Sequence, residues 1–489
     1  MGKQGREGVK WGLFLSLAVL RVLNSLSIRT FFQPDEYWQS LEPGHIGVFG
    51  YGFKTWEWRE GLRSAAHPKL YEAVYVASEW LGVDVVMGPK VFQGVVAAVG
   101  DYQLFRLGQR ILGGEGAWYA LIASLGSAFN WFCMTRTFSN SLEMVLTTVA
   151  LAYWPWNSNL VNLRHLTVAL SVASVSCIFR PTNGLIWMFL GTNLVARANC
   201  RAKIILLTVV IGIVSLSVNF LVDYSYYGEP TFPLIKFLEF NVVQSLSEFY
   251  GVSPSHYYLS QGIPILMISY LPLVLWEMWQ SRRSVVVWLV LFTIGTYSLL
   301  AHKEVRFIYP LMPLLHLLLA RSILRFKIPN RKRVMAWLVA INVPVAFYFT
   351  QYHQRGVVDV MQYLRQDPSV SSVGFLMPCH STPWQAHLHR DIPAWFLTCE
   401  PPIGFTPEAK RSYLDIADQF YDNPIGFLDQ HMGVDYQWPS HLAFFEALED
   451  TIKPYLQEHT SYELDTRFFN SHFHDDHRRK GDVLVYKWK

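Results

Sequence analysis

Residues 285–320 read VVVWLVLFTIGTYSLLAHKEVRFIYPLMPLLHLLLA, and this stretch decides the fold. Two runs apolar enough to enter a bilayer, Val285–Leu300 and Ile308–Ala320, flank His302-Lys303-Glu304-Val305-Arg306. Charge at the edge of a membrane span is costly to desolvate, so such a cluster lines a cavity or faces the headgroups. A Lys and an Arg at that depth suit a lipid-linked phosphate. A short loop that merely separates two helices is the plainer alternative.

Outward from this turn, the apolar residues of the 489-residue, 51 % hydrophobic chain gather in blocks. The blocks run to about 15–22 residues with few charges, the length that crosses hydrocarbon. They predict a polytopic α-helical membrane protein of about eleven spans. The spans are Trp11–Ile28, Pro89–Leu107, Ala117–Cys133, Leu142–Trp156, His165–Phe179, Gly184–Ala196, Ile204–Val222, Ile263–Trp279, Val285–Leu300, Phe307–Leu324 and Val334–Thr350. Several are short enough to be broken or tilted helices. Lys3, Arg6 and Lys10, then Arg106 and Arg110, Arg197, Arg201 and Lys203, Arg282 and Arg283, and finally Arg325, Lys327, Arg331, Lys332 and Arg333 all fall on one side of that topology. The positive-inside rule makes that side cytoplasmic. The net charge of +4 is largely this excess and gives no reason to invoke nucleic acid.

The opposite side receives Arg29–Gly88, Asp223–Gly262, the HKEVRF turn and everything from Gln351. The expected organisation is a membrane body over 1–350, with loops at about 29–88 and 223–262, and a mixed α/β domain over 351–489. Leu70, Val74, Ala77 and Leu81 repeat at helical spacing, as do Ile235, Leu238, Val242, Leu246 and Phe249 opposite Lys236, Gln244 and Glu248. Each pattern predicts a helix lying on the membrane surface or tucked against the protein. In the tail, Val373–Met377, Trp395–Thr398, Ser461–Phe469 and Val483–Tyr486 read as strands, and Glu408–Tyr421 and His441–Gln457 as helices. Arg21 and Asn24 inside the first span, with no small-residue cleavage site, suit a retained signal anchor. Cys379 and Cys399 both fall in the tail, where an oxidising compartment permits but does not dictate a disulfide.

Phe32-Gln33-Pro34-Asp35-Glu36-Tyr37-Trp38-Gln39 follows the first span. Pro34 stops the helix, and two carboxylates come next among aromatics near the membrane face. A carboxylate beside a sugar hydroxyl can take its proton as that hydroxyl attacks. Acids at a helix start also favour the dipole and need do nothing more. His472, His474 and His477 with Asp475 and Asp476 read as a solvated hairpin loop rather than a metal site.

Asp35-Glu36, Arg136-Thr137-Phe138-Ser139-Asn140, Arg180-Pro181-Thr182 and the HKEVRF turn, in that order, resemble the lipid-dependent mannosyltransferases of glycosylphosphatidylinositol (GPI) and N-glycan assembly. These form glycosyltransferase family 22, of the GT-C membrane fold. TFFQPDEYWQSLEPGH (30–45), YGFKTWEWREGLRS (51–64) and MPCHSTP (377–383) resemble more narrowly the branch that adds the third mannose of the anchor. The resemblance runs from about Thr30 through the tail, and implies a dolichyl phosphate mannose donor, a GPI glycolipid precursor as acceptor, and inverting transfer forming an α-1,2 bond. It places the enzyme in the endoplasmic reticulum membrane, N-terminus cytoplasmic and C-terminal domain lumenal. It also suggests Asp35 as base, with Glu36 second.

Fixed cations can replace a metal at the departing phosphate: Arg306, with Lys303 or His302, and Glu304 in support. No acid cluster has metal-ligand spacing, so no cofactor and metal-independent chemistry are expected. Trp56, Glu57 and Arg63 are acceptor-side candidates, although Trp56 and Trp58 suit interface anchors equally well. Arg136 and Arg180, near span ends, either touch phosphates or snorkel. A sibling transferase acting on N-glycan precursors, or adding a fourth GPI mannose, shares these features. A polytopic lipid or solute transporter shares only the spans and buried charges.

Overall fold

Every apolar block of the sequence is helical in the computed structural model, which describes residues 3–157, 161–240, 249, 251–326 and 330–489. Among these, four helices are long and apolar enough to cross a membrane: Arg201–Tyr227, Tyr258–Gln280, Val305–Arg325 and Arg331–Gln366. Trp11–Ser27, Leu163–Phe179 and Val285–Ser298 are shorter apolar helices. The blocks at 89–107 and 117–133 stay separate: the helical stretch Met87–Leu125 breaks and turns back at Gly113, whose φ of 80° a side chain would resist, so that Phe105 and Trp118 meet at 4.8 Å between ring centres. The block at 263–279 is divided into Ile263–Met267, Ile268–Tyr270 and Leu271–Gln280.

The chain packs into two compact units. The first holds Met1–Ser27, Glu60–Leu70 and Met87–Phe347. Burial separates its helices by role. In the most apolar window of Val305–Arg325, 83 % of residues are buried, against 6 % in Arg201–Tyr227, so the former is a core helix and the latter presents its side chains to lipid. Beneath the core helix runs a chain of buried polar groups. Arg21 Nε donates to Asp101 Oδ2 at 2.6 Å, and both side chains are fully buried. Ser124 Oγ donates to Asp101 Oδ1 (2.6 Å), Asn130 Nδ2 to Ser124 Oγ (2.8 Å), and the Tyr309 hydroxyl to Asn130 Oδ1 (3.0 Å). Arg21 thus sits in a helix because its charge is answered, and the span tolerates it.

The second unit holds Ile28–Arg59, Tyr71–Val86 and Tyr348–Lys489. Its sheet comprises β1 (Val373–Leu376), β2 (Ala394–Phe396), β3 (His441–Phe445), β4 (Tyr462–Phe468) and β5 (Val483–Trp488), in the order β2-β1-β3-β5-β4. β1 is parallel to β2 and β3, and β5 is antiparallel to β3 and β4. Phe444, Leu442 and Leu484 of the sheet pack with Phe420, Leu428, Ile452 and Leu456 into one apolar core. The helix expected over 441–457 is corrected: His441–Phe445 is a strand buried at every residue, and the helix begins at Glu449. A central strand covered on both faces has no alternation, so its apolar run is indistinguishable from a buried helix by period. The expected 408–421 helix is likewise two short ones, Pro407–Arg411 and Ile416–Asp422, separated by the Asp415 N-cap.

The predicted surface helix at 70–81 is present as Ala66–Leu81. At 235–249 the α-helix described is Pro233–Leu238, continued as π-helix through Glu239 and Phe240; Val242, Gln244, Leu246 and Glu248 lie outside the described residues.

Removing one partner of the Arg21–Asp101 pair leaves a buried, unanswered charge, at a cost of about 3–5 kcal/mol. Asp101→Leu is therefore expected to lower the thermal unfolding temperature in detergent sharply, and Arg21→Met with Asp101→Leu to recover most of the loss.

Candidate active site

The turn from Val285–Ser298 into the core helix carries the cluster singled out in the sequence, and its backbone is anchored before its side chains act. Val305–Leu311 is a 3-10 turn containing Pro310, and Asn140 Nδ2 donates to the Arg306 carbonyl at 3.1 Å. Arg306 grips Glu304 in a fork, Nε to Oε2 at 2.7 Å and Nη2 to Oε1 at 2.7 Å. His302 Nε2 lies 3.3 Å from Glu304 Oε1, and its Nδ1 lies 2.9 Å from the Gly251 carbonyl. Burial alone would raise the Glu304 carboxyl, but the Arg306 charge and the hydrogen bonds from His302 and Arg306 hold it well below the usual range. The bond to Glu304 raises His302 in turn, against the pull of burial.

Lys303 is placed differently. Its buried ammonium donates to the Ser253 carbonyl (2.8 Å) and the Ala301 carbonyl (3.5 Å), which closes the turn instead of presenting a cation.

Arg180 is the cation that lies beside Arg306. It stands just past the end of Leu163–Phe179, and its Nε lies 3.1 Å from Glu143 Oε2. Burial pushes the guanidinium down and Glu143 opposes this, while the charges of Arg306 and Arg63 push the same way as burial. The Arg180 and Arg306 guanidinium carbons lie 5.4 and 5.9 Å from the centre of one ring, Phe307. His67 is close enough to Arg180 to feel it: burial first, then that charge, lowers the imidazole to about 3, so the ring is neutral. Glu143 is itself held by Asn183 Nδ2 at 2.9 Å.

Arg180 and Arg306 thus lie close together, each beside a carboxylate, with Arg63 near enough for its charge to be felt at Arg180. The available signal for Glu143 was an acid inside an apolar helix, Ser139–Tyr153, which is rare without a function. Arg136 is buried, with Nε donating to the Phe132 carbonyl at 2.8 Å.

In the second unit, Asp35 and Glu36 begin a helix whose first bonds run from Tyr37 N and Trp38 N to the Pro34 carbonyl (both 2.9 Å). Glu36 is buried and Asp35 half-buried, so the two adjacent carboxylates are unequal. Trp38 fixes this helix start: its indole donates to the Thr382 carbonyl (3.0 Å), stacks with Trp384 (5.7 Å between centroids) and lies over His380 (4.5 Å). Cys379 and Cys399 are disulfide-bonded, clamping the segment that carries His380. Burial lowers His380 to about 4, with Asp35 pulling upward and Arg479 downward.

Trp56 and Trp58 are 8 % and 2 % exposed, so their faces are packing surfaces, and the Glu57 carboxylate accepts from Gln39 Nε2 at 3.1 and 3.2 Å. Cys379, His380 and Cys399 form the one His/Cys/acid group of metal-binding dimensions among the described residues, and its sulfurs are already joined. The histidines of 472–477 act apart: His472 pairs with the Tyr348 hydroxyl (3.1 Å) and His474 Nδ1 accepts from Asp476 N (3.0 Å).

The sequence profile of the Alg9-like mannosyltransferase family matches residues 12–389. The chain is 49 % identical, over 99 % of its length, to the GPI mannosyltransferase 3 of Yarrowia lipolytica, of which 98 % is covered. It is 36 % identical, again over 99 % of its length, to the GPI alpha-1,2-mannosyltransferase 3 of Mus musculus, of which 90 % is covered. ArnT from Cupriavidus metallidurans, solved with undecaprenyl phosphate, matches with a TM-score of 0.61 at 11 % identity, covering 99 % of this chain and 98 % of that one. At that identity the likeness is one of fold, the GT-C membrane fold.

Glu42 supplies a pH test of the loop that carries Asp35. The fully buried carboxyl accepts from the backbone N–H groups of Phe53 (2.9 Å) and Gln385 (3.1 Å), and burial, only partly offset by these bonds, raises it from 4.5 to about 8. A carboxyl raised on folding stabilises fully below its unfolded value and loses that contribution as pH climbs through the folded one. Hydrogen exchange at the Phe53 and Gln385 amides is expected to quicken beyond its intrinsic pH dependence between about pH 5 and 8, and Glu42→Gln to abolish the excess.

Proposed function

The chain belongs to the Alg9-like mannosyltransferase family and is a mannosyltransferase; from that premise we propose that it moves mannose from dolichyl phosphate to the second mannose of a GPI precursor. The new bond is α-1,2, formed in the lumen of the endoplasmic reticulum. The observation that supports the donor side is the closeness of Arg180 and Arg306, each beside a carboxylate, with Arg63 near Arg180. The acceptor side rests on the full-length similarity to proteins named for GPI mannosyl transfer.

In this reading Asp35 takes the proton of the acceptor 2-hydroxyl as its oxygen bonds to the anomeric carbon of the donor. The bond from that carbon to the phosphate oxygen breaks, and its electron pair leaves with dolichyl phosphate. Attack opposite a β-linked leaving group yields the α product. The guanidinium groups offset charge growing on the phosphate, which is the term most often dominant in such sites. Glu36, buried beside Asp35, is the second candidate for that base. Arg63 moves from the acceptor side to the phosphate.

Purified protein in lipid, given labelled dolichyl phosphate mannose with a two-mannose GPI precursor and an N-glycan precursor, is expected to extend only the former. The product should be cleaved by an α-1,2-mannosidase. Extension of the N-glycan precursor, or of neither, overturns the acceptor assignment. Asp35→Asn should abolish transfer in folded protein; normal turnover would remove Asp35 as base.

The cations can be ranked the same way. Arg306→Met and Arg180→Met should each lower kcat/KM for the donor by about 10²–10³, the usual effect of losing one donor aimed at developing charge. Lys303→Met should instead lower thermal stability and leave donor kinetics within about threefold.

A further inference from the structure

A polar recess lies within the second unit, and none of the residues assigned a catalytic role lines it. It has a volume of about 370 Å³ and is lined by Phe49, Tyr75, Glu79, Asp84, Arg365 and His389, with the Gly82–Val83 turn at its edge. Arg365 Nη2 meets Asp84 Oδ2 at 2.8 Å, while its Nε and Nη1 have no hydrogen-bond partner among the described residues. The exposed Glu79 carboxylate has no ion-pair partner among them either.

The tautomer of His389 follows from its neighbours. His45 Nδ1 lies 3.1 Å from the Tyr51 carbonyl, an acceptor only, so that nitrogen carries the proton and His45 Nε2 accepts. His389 Nδ1, 2.9 Å from His45 Nε2, must then be the donor, and its Nε2 is left as an acceptor. Burial lowers both rings, His45 to about 4, so neither is charged at neutral pH. The recess therefore offers guanidinium donors at one point, and a carboxylate, an imidazole acceptor and the rings of Phe49 and Tyr75 at others. That set suits a phosphate joined to an ammonium.

The rim decides which molecule carries that group. Trp80, Leu81 and Val83 are 85, 64 and 38 % exposed, consecutive with Glu79 and Asp84, at the end of the amphipathic helix Ala66–Leu81. A free sugar or a soluble zwitterion has no use for an apolar rim; an amphiphile does. We propose that this recess binds the headgroup of a zwitterionic phospholipid bearing a primary ammonium, with phosphate on Arg365, ammonium on Glu79 and His389, and acyl chains along Trp80 to Val83. The lipid would hold the Tyr71–Val86 segment at the bilayer surface independently of mannosyl transfer.

Native mass spectrometry of the full chain from detergent, with phosphatidylethanolamine or phosphatidylglycerol added, tests this. Phosphatidylethanolamine should be retained about tenfold better, a preference of roughly 1.4 kcal/mol, and Glu79→Gln and Arg365→Met should each erase it. Because Arg365 is ion-paired, its variant is judged only if its unfolding temperature is unchanged; Glu79, which has no partner to lose, decides otherwise. Equal retention of both lipids, or unchanged preference in Glu79→Gln, overturns the site. Displacement of the lipid by equimolar soluble phosphoethanolamine would show that the rim contributes nothing, and overturns the commitment to a lipid.

Discussion

Bringing guanidinium groups together in a place with little water is the costliest feature of this protein, and much of the first unit is arranged to make it tolerable. Arg306 is forked by Glu304, and Arg180 is faced by Glu143, which Asn183 orients in turn. The backbone of the turn is tied as firmly as the side chains. Asn140 holds the Arg306 carbonyl, and Lys303 closes the loop through the carbonyls of Ser253 and Ala301. Three residues beyond Arg306, Tyr309 hands the constraint to Asn130, Ser124, Asp101 and Arg21. A buried polar chain of this kind is stable only when every member is satisfied, so it holds the core helix in one register.

The second unit solves a different problem, that of fixing a carboxylate at the first turn of a helix where local structure is loose. Glu42 is bonded to the backbone at Phe53 and Gln385, Trp38 to Thr382, and Phe31 N to the Gln354 carbonyl at 2.9 Å. The residues on either side of Asp35 are thus secured, at Phe31, Trp38 and Glu42, from segments more than three hundred positions away. The disulfide between Cys379 and Cys399 makes one of those segments rigid in advance, by restricting the chain before it folds.

Much of this was legible from local pattern. Apolar block length marked the helices, charge between two such blocks marked the Arg306 turn, and Pro34 before two acids marked a helix start. What escaped was whatever depends on distant partners. Lys303 and Arg180 look alike in sequence, a cation at a span end, and only packing reveals that one meets carbonyls while the other meets a carboxylate and two arginines. Trp56 and Glu57 look like a sugar platform until the indole is found buried and the acid held by Gln39. His441–Phe445 failed for a different reason: a strand covered on both faces carries no period to read. The grouping of residues 28–59 and 71–86 with the C-terminal residues has no local signature at all.

The pairing of the arginines bears on how such a site would favour reaction over mere binding. Arg306 is held by Glu304 and Arg180 faces Glu143, so each of these guanidinium groups has a carboxylate beside it at rest. A phosphodiester donor carries one negative charge, and the phosphate that departs carries more. A cluster stripped of its glutamates would hold the intact donor too well and gain little as the bond broke. With Glu304 occupying Arg306 at rest, an arriving diester must compete for the guanidinium, whereas the leaving phosphate, with more charge to offer, competes better. Glu304 also raises His302, against the pull of burial. Interactions that strengthen as charge develops raise turnover, and those equal in both states do not. On the proposed function, the glutamate that weakens binding of the intact donor is what makes the arginine selective for the transition state.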